Sequence, residues 1–445
     1  MLNLAYVLLL AIASPVLLYR ALTQGKYRTG WPEKLLGLVP RRNSSAPCLW
    51  LHAVSVGEAL QLQPVLEILT DHCPGYEFVI STTTNTAFEL AKKKYSGHRV
   101  IYFPFDFTWA VRTALRRIRP TAVILVELEL WPNFILAAND LKIPVALING
   151  RISERSFRGY RKIRPLIARL LGHMSMMAVQ NQTYAERLCA LGADPARVAV
   201  TGSIKFDHVE TNRNNPRTAE LRRCFGLAKT DQVFIAGSTQ APEEQLALKA
   251  YQVLLKRHPN LRLILVPRHK ERFDEVARLV TETYRLPLLR RSTGAVVQPQ
   301  GVAECVDLPP IRLLDTLGEL AACWGLADVA FVGGSLSTRG GQNMIEPAGY
   351  GAAVCFGPNT QNFRDVVDLL LQQDAAAVVR TGSELRRQVD WCLSNPQAAA
   401  ERGDRARSLV RSQRGATIQT VEQIVSLLPT LPRAIETSSD IPKAA

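Results

Sequence analysis

Several signatures of familiar chemistry are missing from this chain of 445 residues. Its eight cysteines form no CxxC pair and no short secreted framework, so they read as reduced cytosolic thiols that mostly fill cores. There is no GxGxxG and no P-loop, and dinucleotides and ATP lose ground as ligands. Gly333-Gly334-Ser335-Leu336-Ser337 lacks the final glycine of GxSxG, which removes a serine-hydrolase elbow. No DxD occurs, so the acids Glu127 and Glu129 are a weak metal signal with the other ligands missing, and no metal site is expected. Charge is scarce at 21% against 47% hydrophobic residues, which excludes global disorder. The charge present is lopsided. There are 54 Lys+Arg and 39 Asp+Glu, a net +15, which points to nucleic acid, anionic lipid or a phosphorylated substrate. No nucleic-acid motif and no aromatic platform accompany the basic stretches, so nucleic acid drops out.

Leu2–Leu18 is apolar except for Asn3, Ser14 and Pro15, and is followed by Arg20, Lys26, Arg28, Lys34, Arg41 and Arg42. Its length is at the lower edge of a span for a hydrocarbon core of ~30 Å. No cleavage site follows it, and the basic flank predicts that the rest of the chain is cytoplasmic. The segment is expected to be an anchor, spanning or interfacial, with its basic flank on anionic headgroups.

From residue 46 short apolar runs alternate with amphipathic stretches. Strands are expected at Cys48–Val54, Glu77–Thr82, Ala122–Val126, Val145–Ile148, Met176–Val179 and Val198–Thr201. After a polar break at His208–Thr218 they resume near Val233–Ala236, Arg262–Val266, Val329–Val332 and Val354–Phe356. Continuous apolar strands separated by helices predict parallel sheets covered on both faces. Two Rossmann-like halves joined by a linker follow, with one long helix at about Pro396–Leu427.

Ligands of such sheets sit outside the carboxyl ends of the strands. Glu58 falls there, in the first turn of a helix. It serves either the helix dipole or, within reach of an acceptor hydroxyl, general-base chemistry. Ser81-Thr82-Thr83-Thr84-Asn85 sets a row of hydroxyls at a helix start, of which capping explains one or two. Glu127 and Glu129 alternate on a strand end and should point to opposite sides. Arg151–Arg169 carries seven Arg/Lys against one Glu, a solvated face or a ridge facing phosphate or membrane. Lys205 at a domain cleft suits a phosphate point charge. Gly237-Ser238-Thr239 and Pro267-Arg268-His269 look like anion loops, and Glu346 after paired glycines could hold a ribose diol. A carboxylate in one half, phosphate-friendly loops in the other and a tethered N-terminus suit a glycosyltransferase with a nucleotide-activated donor and a lipid acceptor.

The stretches HAVSVGE (52–58), ELWPN (129–133), TGSIKFD (201–207), LVPRHKERF (265–273), DTLGEL (315–320) and GGQNMIEPAGYG (340–351) together resemble the 3-deoxy-D-manno-octulosonic acid (Kdo) transferases. The resemblance implies an α/β protein of GT-B type, two Rossmann-like domains facing a central cleft, with an N-terminal membrane-anchor helix. It implies inverting transfer of Kdo from CMP-Kdo to a lipid A precursor in lipopolysaccharide assembly, at the cytoplasmic face of the bacterial inner membrane. The general base matches Glu58, and Glu127 and Lys205 match residues near the reacting centre. CMP contacts match Pro267 and Arg268, then Leu317, Gly318 and Glu319, then Asn343, Met344, Ile345 and Glu346. No cofactor is implied, CMP-Kdo being the donor substrate, and an anionic membrane surface is the further partner. The expected division is 1–22 anchor, 23–207 acceptor domain, 208–228 linker, 229–405 donor domain, 406–428 closing helix and 429–445 mobile tail. The competing readings are a GT-B transferase or epimerase using a UDP-sugar, and a catalytically idle scaffold that binds anionic glycolipids.

Overall fold

The computed structural model describes residues 3–4, 6–8, 11–12, 14–15, 19, 23, 29–299 and 308–429. The chain divides into two compact units, Met1–Ile204 with Gly415–Ala445, and Lys205–Arg414. Much of the expected anchor and nearly all of the expected tail lie outside the described residues. Among the described residues no helix is long and apolar enough to cross a membrane.

The first unit is built on a seven-stranded sheet of order β3-β2-β1-β4-β5-β6-β7. Its strands are β1 Cys48–His52, β2 Glu77–Thr82, β3 Arg99–Tyr102, β4 Ala122–Val126, β5 Val145–Gly150, β6 Met176–Val179 and β7 Val198–Val200. Every pairing is parallel, with Cys48 opposite Glu77 and Leu49 opposite Ala122. β1 and β4 are buried along their whole length because helices cover both faces. Trp50, Val79 and Val123 join a core with Phe103 and Phe134 on one side. Leu49, Leu51 and Ile124 join the other with Leu62, Val65 and Leu66 of the helix Val56–His72. Each such side chain contributes roughly 1.5–3 kcal/mol by leaving water, so this double-sided burial fixes the strand order.

The second unit holds an eight-stranded sheet of order β11-β10-β12-β9-β8-β13-β14-β15. Its members are β8 Gln232–Thr239, β9 Leu261–Pro267, β10 Leu288–Arg290, β11 Val296–Val297, β12 Ile311–Leu313, β13 Val329–Val332, β14 Ala353–Phe356 and β15 Ala376–Val378. Among the described strands only the β10–β11 pair is antiparallel. Two parallel Rossmann-like sheets are therefore present. The strands that sequence periodicity misses are β3, β10, β11, β12 and β15. They have four residues or fewer and include polar Arg99, Arg290 and Arg312, so no apolar run announces them.

Two expectations about organisation need correction. The stretch 208–228 is not a bare linker: Pro216–Cys224 is a helix, capped by Asn215, whose side chain accepts the Thr218 N–H at 2.9 Å. Leu221 and Phe225 bury into the second unit's core. The closing helix is two helices, Pro396–Ser412 and Ala416–Ser426, broken at Gly415 with φ 100°. The first stays with the second unit, where Gly403 packs on Gly351 so closely that a Cβ would sit 2.1 Å from the Gly351 carbonyl oxygen. The second returns to the first unit, burying Val421 and Ile424 beside Leu62 and Leu66. Apolar periodicity runs through both helices, and a single glycine decides that they part.

Candidate functional site

In the first unit Ser55 caps the helix Val56–His72, its hydroxyl oxygen accepting the Glu58 N–H at 3.3 Å. The Glu58 carboxylate reaches back, accepting the Val54 N–H at 2.9 Å and the Ser55 hydroxyl proton at 2.7 Å. Local sequence dictates this, since Ser-x-x-Glu before an apolar run is a capping box. Each carboxylate oxygen keeps a further lone pair beyond these bonds. Burial pushes the Glu58 pKa up, the bonds from Ser55 and Val54 oppose it, and the charge of Glu127 adds to the rise.

Glu127 and Glu129 are not on a strand end as expected. β4 stops at Val126, and Glu127 turns into the left-handed region at φ 59°, its N–H donating to the Ile148 carbonyl at 2.9 Å. Side-chain alternation therefore ends one residue earlier than sequence suggests. Burial, then the charges of Glu58 and Glu127, push Glu129 up to about 7, while the Trp131 indole pulls it back. The indole N–H lies near that carboxylate without a hydrogen bond of ordinary geometry. Three carboxylates thus share one field at the carboxyl edge of β1 and β4. Of the two acids the sequence singles out here, only Glu127 is among the expected site residues, yet Glu129 shares the same field.

The hydroxyl row after β2 sorts into separate jobs. Ser81 accepts the Trp50 indole N–H at 2.8 Å and lies 2.9 Å from His52 Nδ1. His52 stacks on Phe103 at 3.7 Å, and full burial pulls its pKa down to about 3, so the ring is neutral at physiological pH. Thr84 caps the helix Asn85–Lys94, accepting the Ala87 N–H at 3.2 Å. The Thr82 and Thr83 hydroxyls are buried without a hydrogen-bond partner.

The second unit gathers its polar residues at the carboxyl ends of β8, β9 and β13. Pro267 ends β9, and the Arg268 N–H donates to the Thr239 carbonyl at 3.0 Å, which leaves an exposed guanidinium. Burial raises the Glu346 pKa, while the Asn343 amide at 3.1 Å, the Trp324 indole and the charge of Arg268 oppose it. Asn343 also accepts the Ile345 N–H at 3.0 Å, fixing the start of the helix Ile345–Gly349. Met344 and Ile345 bury their side chains in the core, so only their main chain can meet a ligand. Leu317 is 71% exposed, Gly318 has φ 83°, and Glu319 pairs with Arg291 at 2.9 Å and takes a short bond from Thr316. Lys205 opens this unit in the single turn Ile204–Phe206.

Sequence reasoning missed Glu243. Wholly buried, it accepts N–H bonds from Gln240 at 2.9 Å, Gly334 at 2.8 Å, Ser335 at 3.1 Å and Leu336 at 3.0 Å. The Gly333-Gly334 loop, whose bare backbone could cradle a phosphate, is instead held by this carboxylate. Gly237 likewise serves packing, since a Cβ there would lie 2.5 Å from the Trp324 ring. Among the described residues no group of three or more His, Cys, Asp or Glu is placed to hold a metal ion.

Comparison with known proteins follows the same lines. The sequence model described as 3-deoxy-D-manno-octulosonic-acid transferase (kdotransferase) matches residues 29–208. The chain is 31% identical over 401 residues to the 3-deoxy-D-manno-octulosonic acid transferase of Haemophilus influenzae, covering 88% of this chain and 90% of that one. Among solved structures it is similar to the UDP-GlcNAc 2-epimerase of Neisseria meningitidis bound to UDP-GlcNAc, with a TM-score of 0.56 at 12% identity, over 85% of this chain and 100% of that chain. It is also similar to Acinetobacter baumannii MurG, with a TM-score of 0.52 at 15% identity, over 86% and 99% of the two chains. At those identities the likeness concerns the fold, which is of GT-B type.

Proposed function

Because the chain belongs to the 3-deoxy-D-manno-octulosonic acid (Kdo) transferase family, we propose that it moves Kdo from CMP-Kdo to a lipid A precursor in lipopolysaccharide assembly. Glu58 is the general base of this reading. It removes the proton from an acceptor sugar hydroxyl as that oxygen attacks the anomeric carbon of Kdo, and CMP departs from the opposite face with inversion. The observation that carries the assignment is the Glu58 carboxylate itself. It is oriented by Ser55 and Val54, keeps free lone pairs, and is made more basic by burial and by Glu127. A base nearer to neutrality extracts a proton more effectively at working pH. Glu127 and Lys205 act near the reacting centre in this reading. Arg268 faces the phosphate that leaves, where developing negative charge gains most from a fixed cation. Glu319, Glu346 and the main chain of 317–318 and 343–345 hold the nucleotide.

Attachment to the inner membrane belongs to the same proposal. The helical residues Leu4, Val7, Leu8 and Ile12 are solvent-exposed, as are Leu36, Leu38 and Trp109 of the same unit. The helix Glu154–Lys162 buries none of its residues and is followed by exposed Ile163 and Leu166. Basic side chains beside exposed apolar ones suit an anionic interface.

Ligand-dependent stabilisation tests the donor. CMP should raise the unfolding temperature at concentrations where UDP does not, since only a ligand of the folded state stabilises it. Stabilisation by UDP alone would replace CMP-Kdo with a UDP-sugar.

A further inference from the structure

Lys34 presents an electrostatic problem that the proposed chemistry leaves unsolved. It lies on the short helix Trp31–Leu36 and is only 5% exposed. Its ammonium is 3.5 Å from the Thr29 carbonyl and 3.5 Å from Asn85 Oδ1, the outer limit of hydrogen bonding. Among the described residues no carboxylate comes within 4 Å of it. The neighbouring Glu33 has one carboxylate oxygen taken by the Tyr102 N–H at 2.9 Å. Burial pulls the Lys34 pKa down, with the charge of Glu33 opposing.

The ammonium also sits at the wrong end of a helix. Asn85 is the first residue of Asn85–Lys94, whose N-terminus carries a partial positive charge. A cation there is repelled unless an anion lies between. The Tyr102 ring offers partial relief, with the ammonium 4.1 Å from its centroid. Phe88 stacks 4.0 Å from the same centroid, so the two occupy opposite faces. Gly30 lets the chain run against this ring, as a Cβ there would fall 2.3 Å from Tyr102 Cδ2. A cation–π contact returns less than burying an ammonium without a carboxylate partner costs.

Hydroxyls surround the same point. The Thr29 and Tyr102 hydroxyls lie 3.0 Å apart, and Tyr102 donates to Asn85 Oδ1 at 3.4 Å. On the neighbouring strand Thr82, wholly buried, stands in register with Tyr102, and its hydroxyl lacks a partner. Cation, hydroxyl donors and a helix N-terminus together match the oxygens of a phosphate monoester.

We propose that Lys34, Thr29, Tyr102 and Asn85, with the first turn of Asn85–Lys94, bind a phosphate monoester of the acceptor. This rests on the reading of the acceptor as a lipid A precursor, a phosphorylated glucosamine disaccharide carrying acyl chains. The site stands at the end of β3 and Glu58 follows β1, two strands away in the order β3-β2-β1. At about 4.8 Å per strand that is about 10 Å, the scale of two linked sugar rings. Thr82 ends β2, the strand between. A phosphate gripped at one end of the disaccharide would set which hydroxyl meets the base at the other.

Wild type, Lys34→Met and Lys34→Arg should be compared on the bisphosphorylated precursor and on its two monophosphorylated forms. Lys34→Met should raise the acceptor KM at least tenfold on the bisphosphorylated form, with kcat little changed. On one monophosphorylated form it should match wild type, and Lys34→Arg should retain most of the affinity. Equal KM values for wild type and Lys34→Met on the bisphosphorylated acceptor would overturn the site. A purely structural lysine would shift all three acceptors alike. Reduced binding of Lys34→Met to vesicles of anionic phospholipid, with acceptor KM unchanged, would overturn the acceptor in favour of a membrane headgroup. An independent arm uses millimolar inorganic phosphate. It should protect wild type against thermal unfolding and leave Thr29→Val and Lys34→Met less protected. That arm needs no transfer, so it separates failure of this site from failure of the proposed reaction. Equal protection of all three proteins contradicts the site.

Discussion

The two units solve the same architectural problem and leave opposite electrostatic residues behind. In the first, buried charge at the sheet edge is unbalanced. Three carboxylates share a field around Glu58, Glu129 is held near neutrality, and among the described residues no carboxylate lies within 4 Å of the Lys34 ammonium. In the second, burial raises Glu243 and Glu346 as well, but the buried acids are met by donors. Glu243 takes four N–H bonds, Asp315 takes Arg290 at 2.7 Å and the Ser292 N–H at 2.8 Å, and Arg291 meets Glu319. Groups that must gain or lose a proton need poised pKa values, whereas loops that grip a nucleotide need rigidity. Under the proposed function, the contrast corresponds to chemistry in the first unit and nucleotide recognition in the second.

The largest effect should come from the base. Glu58→Gln keeps the shape of the cap and one acceptor oxygen, yet transfer should fall about 10²–10⁴-fold, the usual contribution of a general base. Initial rates decide this, with CMP protection of the folded state unchanged. Next is Glu243→Gln, which points an amide at N–H donors. A loss of about 2–3 kcal/mol is expected, with weaker CMP protection and an unchanged acceptor KM. If the acceptor KM rose instead, the division of labour between the units would be wrong.

Glu129 gives a pH test with a defined sign. A carboxyl whose folded pKa is raised favours the folded state below its unfolded value of about 4.3. That contribution fades as pH rises through about 7. Wild type should therefore lose stability over this window, and Glu129→Gln should flatten the loss. A variant that tracks wild type across the window would show Glu129 to be an ordinary acid. The smallest effect is Gly415→Ala. With φ 100° at that position, about 1 kcal/mol of stability should go, read as a lowered unfolding temperature with transfer retained.

Much of the fold is legible in the sequence because the central strands are continuous apolar runs. CLWLH and AVILV can be little else when both faces are covered. β3, β10, β11, β12 and β15, of two to four residues, are not legible, although the equally short β6, β7, β13 and β14 are. Nor is the break at Gly415, where a backbone angle overrides a pattern that runs on. The site divides in the same way. Glu58 and Arg268 are visible because each follows a strand, and that place is set by topology. The raised state of Glu129 and the bonding of Glu243 are hidden because they depend on neighbours. One is shaped by the left-handed turn at Glu127, the other by N–H groups some ninety residues away. Lys34 is hidden for the same reason, reading as one more basic residue behind an apolar segment.

The most direct test is transfer itself. Purified protein in detergent, given CMP-Kdo generated in situ and a tetra-acylated lipid A precursor, should yield lipid heavier by one or more Kdo units in the mass spectrum. Glu58→Ala, folded and still protected by CMP, should yield none. Product at near-native rate from that variant would contradict Glu58 as the base, and no product from folded wild type would contradict Kdo transfer to this acceptor.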